Sequence, residues 1–436
     1  MRLAGSLHHI EGRLDSARLE LGRAVELLRA ENQPDRLARA LRARGFIELF
    51  GGSLKDAEWF FGEADGLYRQ LADARGMAWI EQHRAWISFL SGDMAVARER
   101  LVHAAETLDE LGDRNGVGWA FGLLAFVAFF ERNFEEAQSL AEIVRTEADE
   151  RGDDWASAMM SSLLADLRLW QGKLDQAMTL AESARSKFRK LNDKFGLIQS
   201  LAPLVRTQVA TGQWSNAQRS SEELLSLADT AAMGPMPLMA IAGAAMHRGD
   251  GAVALAMATR ATAEVQSMGG GLREPAIIAA LASAQLDRID DALALVDEID
   301  LAEQQHPFAD SVAALVLAMA QDPHRALTHA QRALDASGAT YLDTIFANLG
   351  AGSAHAQLGQ VDLALAAFRT ARNTAVMVGD VVAIALTAQA APRVLGEGQA
   401  AASTDGDFNL SDGWRRVIDL LAAEGTPAGS SAGQRV

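Results

Sequence analysis

The stretch Gly172-Lys173-Leu174-Asp175-Gln176-Ala177 contains a pattern of glycine, any residue, a large apolar residue, two further residues and alanine. The pattern recurs with its alanines exactly 40 residues apart, at Ala17, Ala57, Ala97, Ala137, Ala177 and Ala217. The alanines continue at spacings of 37, 38, 34 and 38 residues, at Ala254, Ala292, Ala326 and Ala364. Self-similarity of this kind indicates a repeat architecture, in which each unit buries its apolar face against its neighbours.

Each position of the pattern has a physical reason. Glycine predicts the end of a helix because a left-handed backbone costs it little, although Arg132 stands in the glycine place of the fourth unit. A second turn signal ends one helix and caps the next, at Gly112-Asp113, Gly152-Asp153, Asn192-Asp193 and Gly379-Asp380. We therefore predict an all-α fold, a right-handed α-solenoid (a superhelix) of about ten helix-turn-helix repeats.

The composition excludes several classes of partner. Lysine and arginine number 40 against 57 for aspartate and glutamate, so the formal net charge is −17 and the chain as a whole repels nucleic acid and anionic lipid. Cysteine is absent, which excludes disulfides and thiolate metal sites. Neither a secretory signal nor a membrane-spanning stretch is present, so we predict a cytoplasmic protein with no membrane partner.

The ends of the chain differ from its repetitive part. We predict that the solenoid covers residues 1–395, with a truncated first repeat, because fewer residues precede its turn than in later units. Residues 396–412 are rich in glycine, serine and aspartate and predict a linker, whereas residues 413–424 predict a short terminal helix. Residues 425–436 predict a disordered tail.

The pattern resembles the tetratricopeptide repeat (TPR), whose small residue early in the first helix corresponds to Gly45, Ala85, Ala125 and Ala165. The usual TPR period is about 34 residues. The longer unit found here, without the usual proline, is similar to the long-helix variant of the maltose-regulon activator, related signal-transducing ATPases and actinobacterial regulators and cyclases. Because the array in those relatives senses an effector or restrains the ATPase, the resemblance implies a sensing or docking role. HEAT-type repeats share the length but lack the signature.

We find no motif for chemistry. The glycine-rich segments 51–55 and 116–122 lack the spacing or the preceding strand of phosphate- and dinucleotide-binding loops. The nine histidines are scattered, and His324 and His329 are five residues apart rather than the four that place two ligands on one helix face. The sequence therefore predicts no catalytic, cofactor-binding or metal-binding residues, and no enzyme.

The TPR resemblance implies a groove. In that family the first helix of each repeat lines the concave surface, and its ligand-facing columns lie 18, 15 and 11 residues before the signature alanine. These columns predict groove residues rich in the types that dominate binding hot spots, namely Arg39, Arg42, Phe46, Trp79, Trp86, Trp119, Phe126, Met159 and Arg206. The alternative is that the columns are buried core, since tryptophan is commonly buried for packing alone.

We interpret the chain as a non-catalytic scaffold or sensor in bacterial signalling or transcription regulation. Its partner would be a protein or peptide segment, for example an amphipathic helix whose acidic ends meet Arg39, Arg42 and Arg206. The lysine and asparagine clamp that some TPR proteins use for C-terminal carboxylates is absent. The alternative is an effector-sensing C-terminal fragment of a larger ATPase, nucleotide cyclase or DNA-binding regulator, with a small effector as its ligand.

Overall fold

The computed structural model describes residues 14–228, 235–267, 273–300, 306–396 and 410–423. Residues 1–13, 397–409 and 425–436, which hold the start of the first repeat, most of the predicted linker and the predicted tail, lie outside these ranges. The described residues form 21 α-helices: α1 (Leu14–Ala30), α2 (Pro34–Phe50), α3 (Leu54–Gln70), α4 (Ala74–Leu90), α5 (Met94–Glu110), α6 (Arg114–Phe130), α7 (Phe134–Arg151), α8 (Asp154–Trp170), α9 (Leu174–Leu191), α10 (Lys194–Ala210), α11 (Trp214–Ala228), α12 (Met236–Arg248), α13 (Gly251–Ser267), α14 (Glu274–Gln285), α15 (Ile289–Asp300), α16 (Pro307–Met319), α17 (Pro323–Asp335), α18 (Tyr341–Gln357), α19 (Val361–Val378), α20 (Val381–Leu395) and α21 (Asp412–Ala422).

The helices alternate as the repeat pattern predicts. The even-numbered helices α2 to α20 are the first helices of the repeats (A helices), and the odd-numbered helices α1 to α19 are the second (B helices). Every signature alanine is the fourth residue of a B helix. From Ala57 to Ala364 these alanines are at most 5% exposed, so a larger side chain would push neighbouring helices apart. The predicted all-α solenoid is confirmed.

The turn between the two helices of a repeat uses a left-handed backbone. The φ angle is +84° at Gly52 and +73° at Gly172, as the pattern predicts. Three non-glycine residues take the same conformation, Arg132, Asp287 and Gln321, with φ between +60° and +63°. Such a backbone costs a non-glycine residue about 1–2 kcal/mol, so a compensating contact is expected at these turns.

Arg132 has such a contact, because the solenoid touches itself. Its Nη1 donates to Asp343 Oδ2 at 2.8 Å and to the carbonyl oxygen of Gly338 at 3.3 Å, although these residues lie 211 and 206 residues further along the chain. In the same region His247 Nε2 lies 2.9 Å from Asp380 Oδ2. The fourth and seventh repeats therefore meet the residues around the start of α18 and the start of α20. The repeat pattern does not predict this closure.

The second turn signal caps helices as expected. The side chains of Asp113, Asp153 and Asp193 accept hydrogen bonds from backbone N–H groups three residues later, at 2.9–3.1 Å. Asp380 accepts two such bonds, from Val382 and Ala383, at 3.0 Å each. These caps fix the start of each A helix, and therefore the position of the side chains that A helices present to the inner surface.

The last helix, α21, packs on the A helices of the second half. Trp414 is fully buried, and its Nε1 donates to the carbonyl oxygen of His247 at 2.8 Å. Arg416 donates to the carbonyl oxygen of Gln285 at 3.1 Å, and Ser353 Oγ donates to that of Leu421 at 2.9 Å. Since these acceptors and donors lie near the carboxyl ends of α12, α14 and α18, α21 covers that edge of the second half.

Candidate ligand groove

All nine predicted groove residues lie on A helices, from α2 to α10. Four of them, Trp86, Trp119, Phe126 and Met159, line one cavity between α6 and α8. We call this the apolar cavity; its empty space, including open solvent, is about 490 Å³. The other five, Arg39, Arg42, Phe46, Trp79 and Arg206, do not line it.

The predicted columns divide between core and surface. Phe46, Trp86 and Met159 are only 6%, 7% and 3% exposed, so packing accounts for much of their role. Trp79, Trp119 and Phe126 are partly exposed and offer aromatic surface. The surface that a ligand could reach is therefore narrower than the columns imply, and it is centred on α6.

The three arginines have partners within the chain. Arg39 Nη2 lies 3.0 Å from Asp35 Oδ1 on the same exposed helix face. The Arg42 guanidinium lies 5.2 Å from the centre of the Trp79 ring, and burial lowers the pKa of Arg42. The Arg206 guanidinium lies 5.1 Å from the centre of the Trp170 ring. The arginines are thus separated from one another rather than gathered at the ends of one groove.

The tryptophans of the inner surface are held by the caps of the next A helix. Trp79 Nε1 donates to Asp113 Oδ2 at 3.0 Å, and Trp155 Nε1 donates to Asp193 Oδ2. Trp155 also stacks on Trp119, with ring centres 5.3 Å apart and planes 18° apart. The columns miss Trp155 because it lies in the first turn of α8, where the neighbouring Asp153 cap was its only signal.

Two glycines of α6 leave the apolar cavity open. A Cβ built on Gly118 would lie 3.6 Å from the nearest neighbour, Arg151, and one built on Gly122 would lie 3.7 Å from Met160. Both distances are ordinary contacts, so helix packing does not require glycine at either position. Because glycine within a helix costs about 1 kcal/mol relative to alanine, these residues weaken α6 and leave space between Trp119 and Phe126.

One residue that lines the apolar cavity, Trp86, has a hydrogen-bond donor without a partner in the described residues. Trp86 is 7% exposed, and its buried Nε1 has no hydrogen-bond partner within the part of the chain that the structure describes. A buried donor without a partner costs about 1–3 kcal/mol. The apolar cavity therefore combines an aromatic wall with unfilled space, and one of the tryptophans that line it has a buried donor without a partner in the described residues.

A second cavity lies further along the same two helices. We call it the acidic cavity, because Asp166 and Glu274 line it together with Phe129, Phe130, Phe134, Trp170, Arg132 and Arg206. Its empty space, including open solvent, is about 640 Å³. Asp166 lies 11 residues before Ala177 and therefore belongs to one of the predicted columns. We selected only the aromatic residues of that column and Arg206 as groove residues. Glu274 is the first residue of α14, and the predicted columns do not include it.

Asp166 is the most perturbed carboxylate of this region. Burial raises its pKa to about 7, nearby Arg206 lowers it in part, and the negative charge of Glu274 raises it further. The side chain of Asp166 is partly exposed and lines the acidic cavity, and protein atoms bury the rest of it. Within the described ranges this carboxylate has no hydrogen-bond partner.

Metal and membrane sites can be assessed over the described residues. No group of three or more histidine, cysteine, aspartate or glutamate side chains there is arranged to hold a metal ion. None of the helices in those ranges has both the length and the apolar character needed to cross a membrane.

Comparisons with known proteins find similarity in structure rather than in sequence. No family model and no curated protein matches the chain. Among solved structures, the Rap protein complexed with competence and sporulation factor is 13% identical, with a TM-score of 0.59, covering 78% of this chain and 98% of Rap. NprR in complex with its cognate peptide NprX is also 13% identical, with a TM-score of 0.50, covering 78% of this chain and 99% of NprR. The chain therefore has the tetratricopeptide-repeat fold.

Proposed function

We propose that the chain is a non-catalytic scaffold or sensor that binds a peptide, or an exposed segment of a protein, between α6 and α8. The observation that carries the proposal is the apolar cavity, where Gly118 and Gly122 leave space that helix packing does not require. The stacked pair Trp119 and Trp155 forms its wall. Rigid aromatic surface beside open space is typical of peptide-binding grooves.

Two further considerations support a peptide as the ligand. The ring of Trp86 lines the apolar cavity and would contact a peptide bound there, whereas its unpartnered Nε1 is buried. Rap and NprR, which share the fold, are described in complex with a competence and sporulation factor and with a cognate peptide. On that analogy we include a role in cytoplasmic bacterial signalling or transcription regulation as the finer part of the proposal.

A leucine at position 122 tests the proposal, because its side chain would fill the apolar cavity. The matched control is Gly66→Leu, since Gly66 is also helical but exposed, and its Cβ would meet nothing within 4 Å. Wild type and both variants are used to select binders from a displayed library of random peptides. Circular dichroism and the thermal midpoint check that each variant is folded.

We expect wild type and Gly66→Leu to enrich the same peptides, with apolar or aromatic residues at their centre. Gly122→Leu should bind those peptides at least tenfold more weakly, since a lost anchor contact is worth about 1.4 kcal/mol or more. The proposal fails if wild type selects no peptides, or if the folded Gly122→Leu variant binds them as tightly as the control does.

A further inference from the structure

The acidic cavity lies on the same groove as the apolar cavity. On α6, Gly122 lines the apolar cavity and Phe129, seven residues later, lines the acidic one. On α8, Met159 and Asp166 have the same relation. At 1.5 Å per helical residue the two cavities are about 10 Å apart, which is the length of about three residues of extended peptide.

The two cavities differ in charge. The apolar cavity is lined by aromatic and methionine side chains and by one residue of each charge, Arg151 and Asp153, whereas the carboxylates of Asp166 and Glu274 both line the acidic cavity. Of the two arginines on that wall, Arg132 is already neutralised by Asp343, with Nη1 and Oδ2 2.8 Å apart. This leaves two carboxylates facing one guanidinium, that of Arg206.

Arg206 is engaged by groups other than Asp166. Its guanidinium lies over Trp170, and its Nη2 donates to the carbonyl oxygen of Met239 at 3.5 Å. Gly243 makes room for it, because a Cβ there would lie 3.0 Å from Nη2. Arg206 is therefore held against α12, and among the residues that the structure describes no cation is hydrogen-bonded to the carboxylate of Asp166.

Apart from these charged residues and Gln199, the residues that line the acidic cavity are apolar. Phe129, Phe134, Trp170 and Met239 surround the two carboxylates. Aromatic faces attract cations, and a carboxylate in surroundings of low dielectric attracts a cation more strongly than it would in water. The cavity thus combines negative charge with walls that suit an alkyl or aromatic stem.

We propose that the acidic cavity binds a primary ammonium or guanidinium group on an apolar stem, with Asp166 and Glu274 as its anionic partners. The proposal rests on the proposed function where the cation is a lysine or arginine of the groove-bound peptide, about three residues from the apolar anchor. A free amine of the same chemistry is the other source. The net charge of −17 favours the approach of either cation.

Neutral isosteres test the proposal. The double variant Asp166→Asn/Glu274→Gln removes both charges and keeps the shape of the cavity. Its control, Glu20→Gln/Glu26→Gln, removes the same net charge from exposed positions on α1. Three probes are used: the random-peptide library, phenethylamine, and phenethyl alcohol, in which a hydroxyl replaces the ammonium group. Circular dichroism verifies folding, and titration calorimetry measures binding of the two small probes.

Two outcomes would support the proposal. Wild type and the α1 control enrich lysine or arginine about three positions from an apolar anchor, and the Asp166→Asn/Glu274→Gln variant keeps the anchor but loses this basic preference at least tenfold. Alternatively, wild type binds phenethylamine at least tenfold more tightly than phenethyl alcohol and loses that difference in the double variant, without selecting peptides. The second outcome supports the cation site as one for a free amine and overturns peptide binding.

Two outcomes would overturn it. If wild type selects peptides by their apolar anchor alone and does not distinguish the amine from the alcohol, the cation site is wrong and the proposed function stands. If wild type binds neither the peptides nor the amine, both proposals are wrong. Equal basic preference in wild type and in the folded double variant would also overturn the assignment to Asp166 and Glu274.

Discussion

The same repeat forms an open inner surface in the first half of the solenoid and a covered one in the second half. In the first half, the inner surface between α6 and α8 is open, and Gly118 and Gly122 enlarge it beyond what packing requires. In the second half, α21 covers the carboxyl-terminal edge of the A helices, and Trp414 is fully buried there. One pattern of alternating helices therefore yields both a groove and a covered core.

The difference shows that self-contact decides which surface is left for a ligand. Glycine at the turn is replaced by Arg132 where the fourth repeat meets Asp343 of the tenth. The repeat spacing is also irregular after Ala217, in the half that α21 covers. A regular repeat contacts only its neighbours, and the departure at Arg132 coincides with an additional contact to a distant repeat.

The stability of the second half of the solenoid should depend on α21. Trp414→Ala removes a fully buried indole that contacts Phe346 and donates to the carbonyl oxygen of His247. We expect the second half to lose about 3–5 kcal/mol of stability, measured by hydrogen exchange of α14, α16 and α18. Exchange of α2 to α5 should be unchanged, and an equal loss there would contradict the division into two halves.

A glycine that packing requires should behave differently from the glycines of the groove. A Cβ on Gly196 would lie 2.1 Å from the ring of Phe188, which is fully buried. Gly196→Ala should therefore destabilise the protein by about 2–3 kcal/mol, because the ring has no room to move. Urea denaturation measures the loss, and a neutral result would show that Phe188 can repack.

The acidic cavity should make stability depend on pH. Because the pKa of Asp166 is raised to about 7 in the folded protein, folding disfavours the ionised carboxylate. Asp166→Asn should equal wild type in stability near pH 4 and exceed it increasingly through pH 7. At pH 8 the free energy of unfolding of Asp166→Asn should exceed that of wild type by about 1–2 kcal/mol. This difference is smaller than the full pKa shift implies, because Asp166 is partly exposed and because asparagine loses the attraction to Arg206.

Thermal midpoints from pH 4 to 8 measure this difference. The exposed substitution Glu150→Gln is the control and should show no such trend. A constant difference between Asp166→Asn and wild type across that range would mean that Asp166 titrates with an ordinary pKa. The acidic cavity would then be more hydrated than its surroundings indicate.

The smallest effect is expected at the groove glycines. Gly122→Ala should stabilise the protein by about 0.5–1 kcal/mol, because alanine is the better helix former and its Cβ meets Met160 at an ordinary distance. Chemical denaturation detects a shift of this size. Destabilisation would show that packing does require glycine there, and the groove would lose its main support.

The repeat pattern predicted most of the fold because each element is set by local rules. The sequence pattern predicted that Ala177 lies in a B helix and that Asp193 caps an A helix, and the structure has both. The closure through Arg132 and Asp343 could not be predicted, because it depends on the pitch accumulated over six repeats. The position of α21 depends on the same pitch.

The candidate site could be predicted only in part. The TPR columns gave Trp86, Trp119, Phe126 and Met159, which do line one cavity, but they did not separate buried from accessible members. Gly118 and Gly196 both lie in the first turns of an A helix, although only the latter is required by a neighbouring ring. Whether a glycine fills a tight contact or leaves a space depends on the opposite helix, which sequence spacing does not specify.

Hydrogen exchange with and without a selected peptide tests the central claim most directly, namely that the open half holds the ligand. The account predicts slower exchange in residues 115–126 of α6 and 154–160 of α8 when peptide is bound, with α14, α16 and α21 unchanged. Protection confined to α14, α16, α18 or α21, with none at α6 and α8, would contradict it and assign the ligand to the half that the chain itself covers.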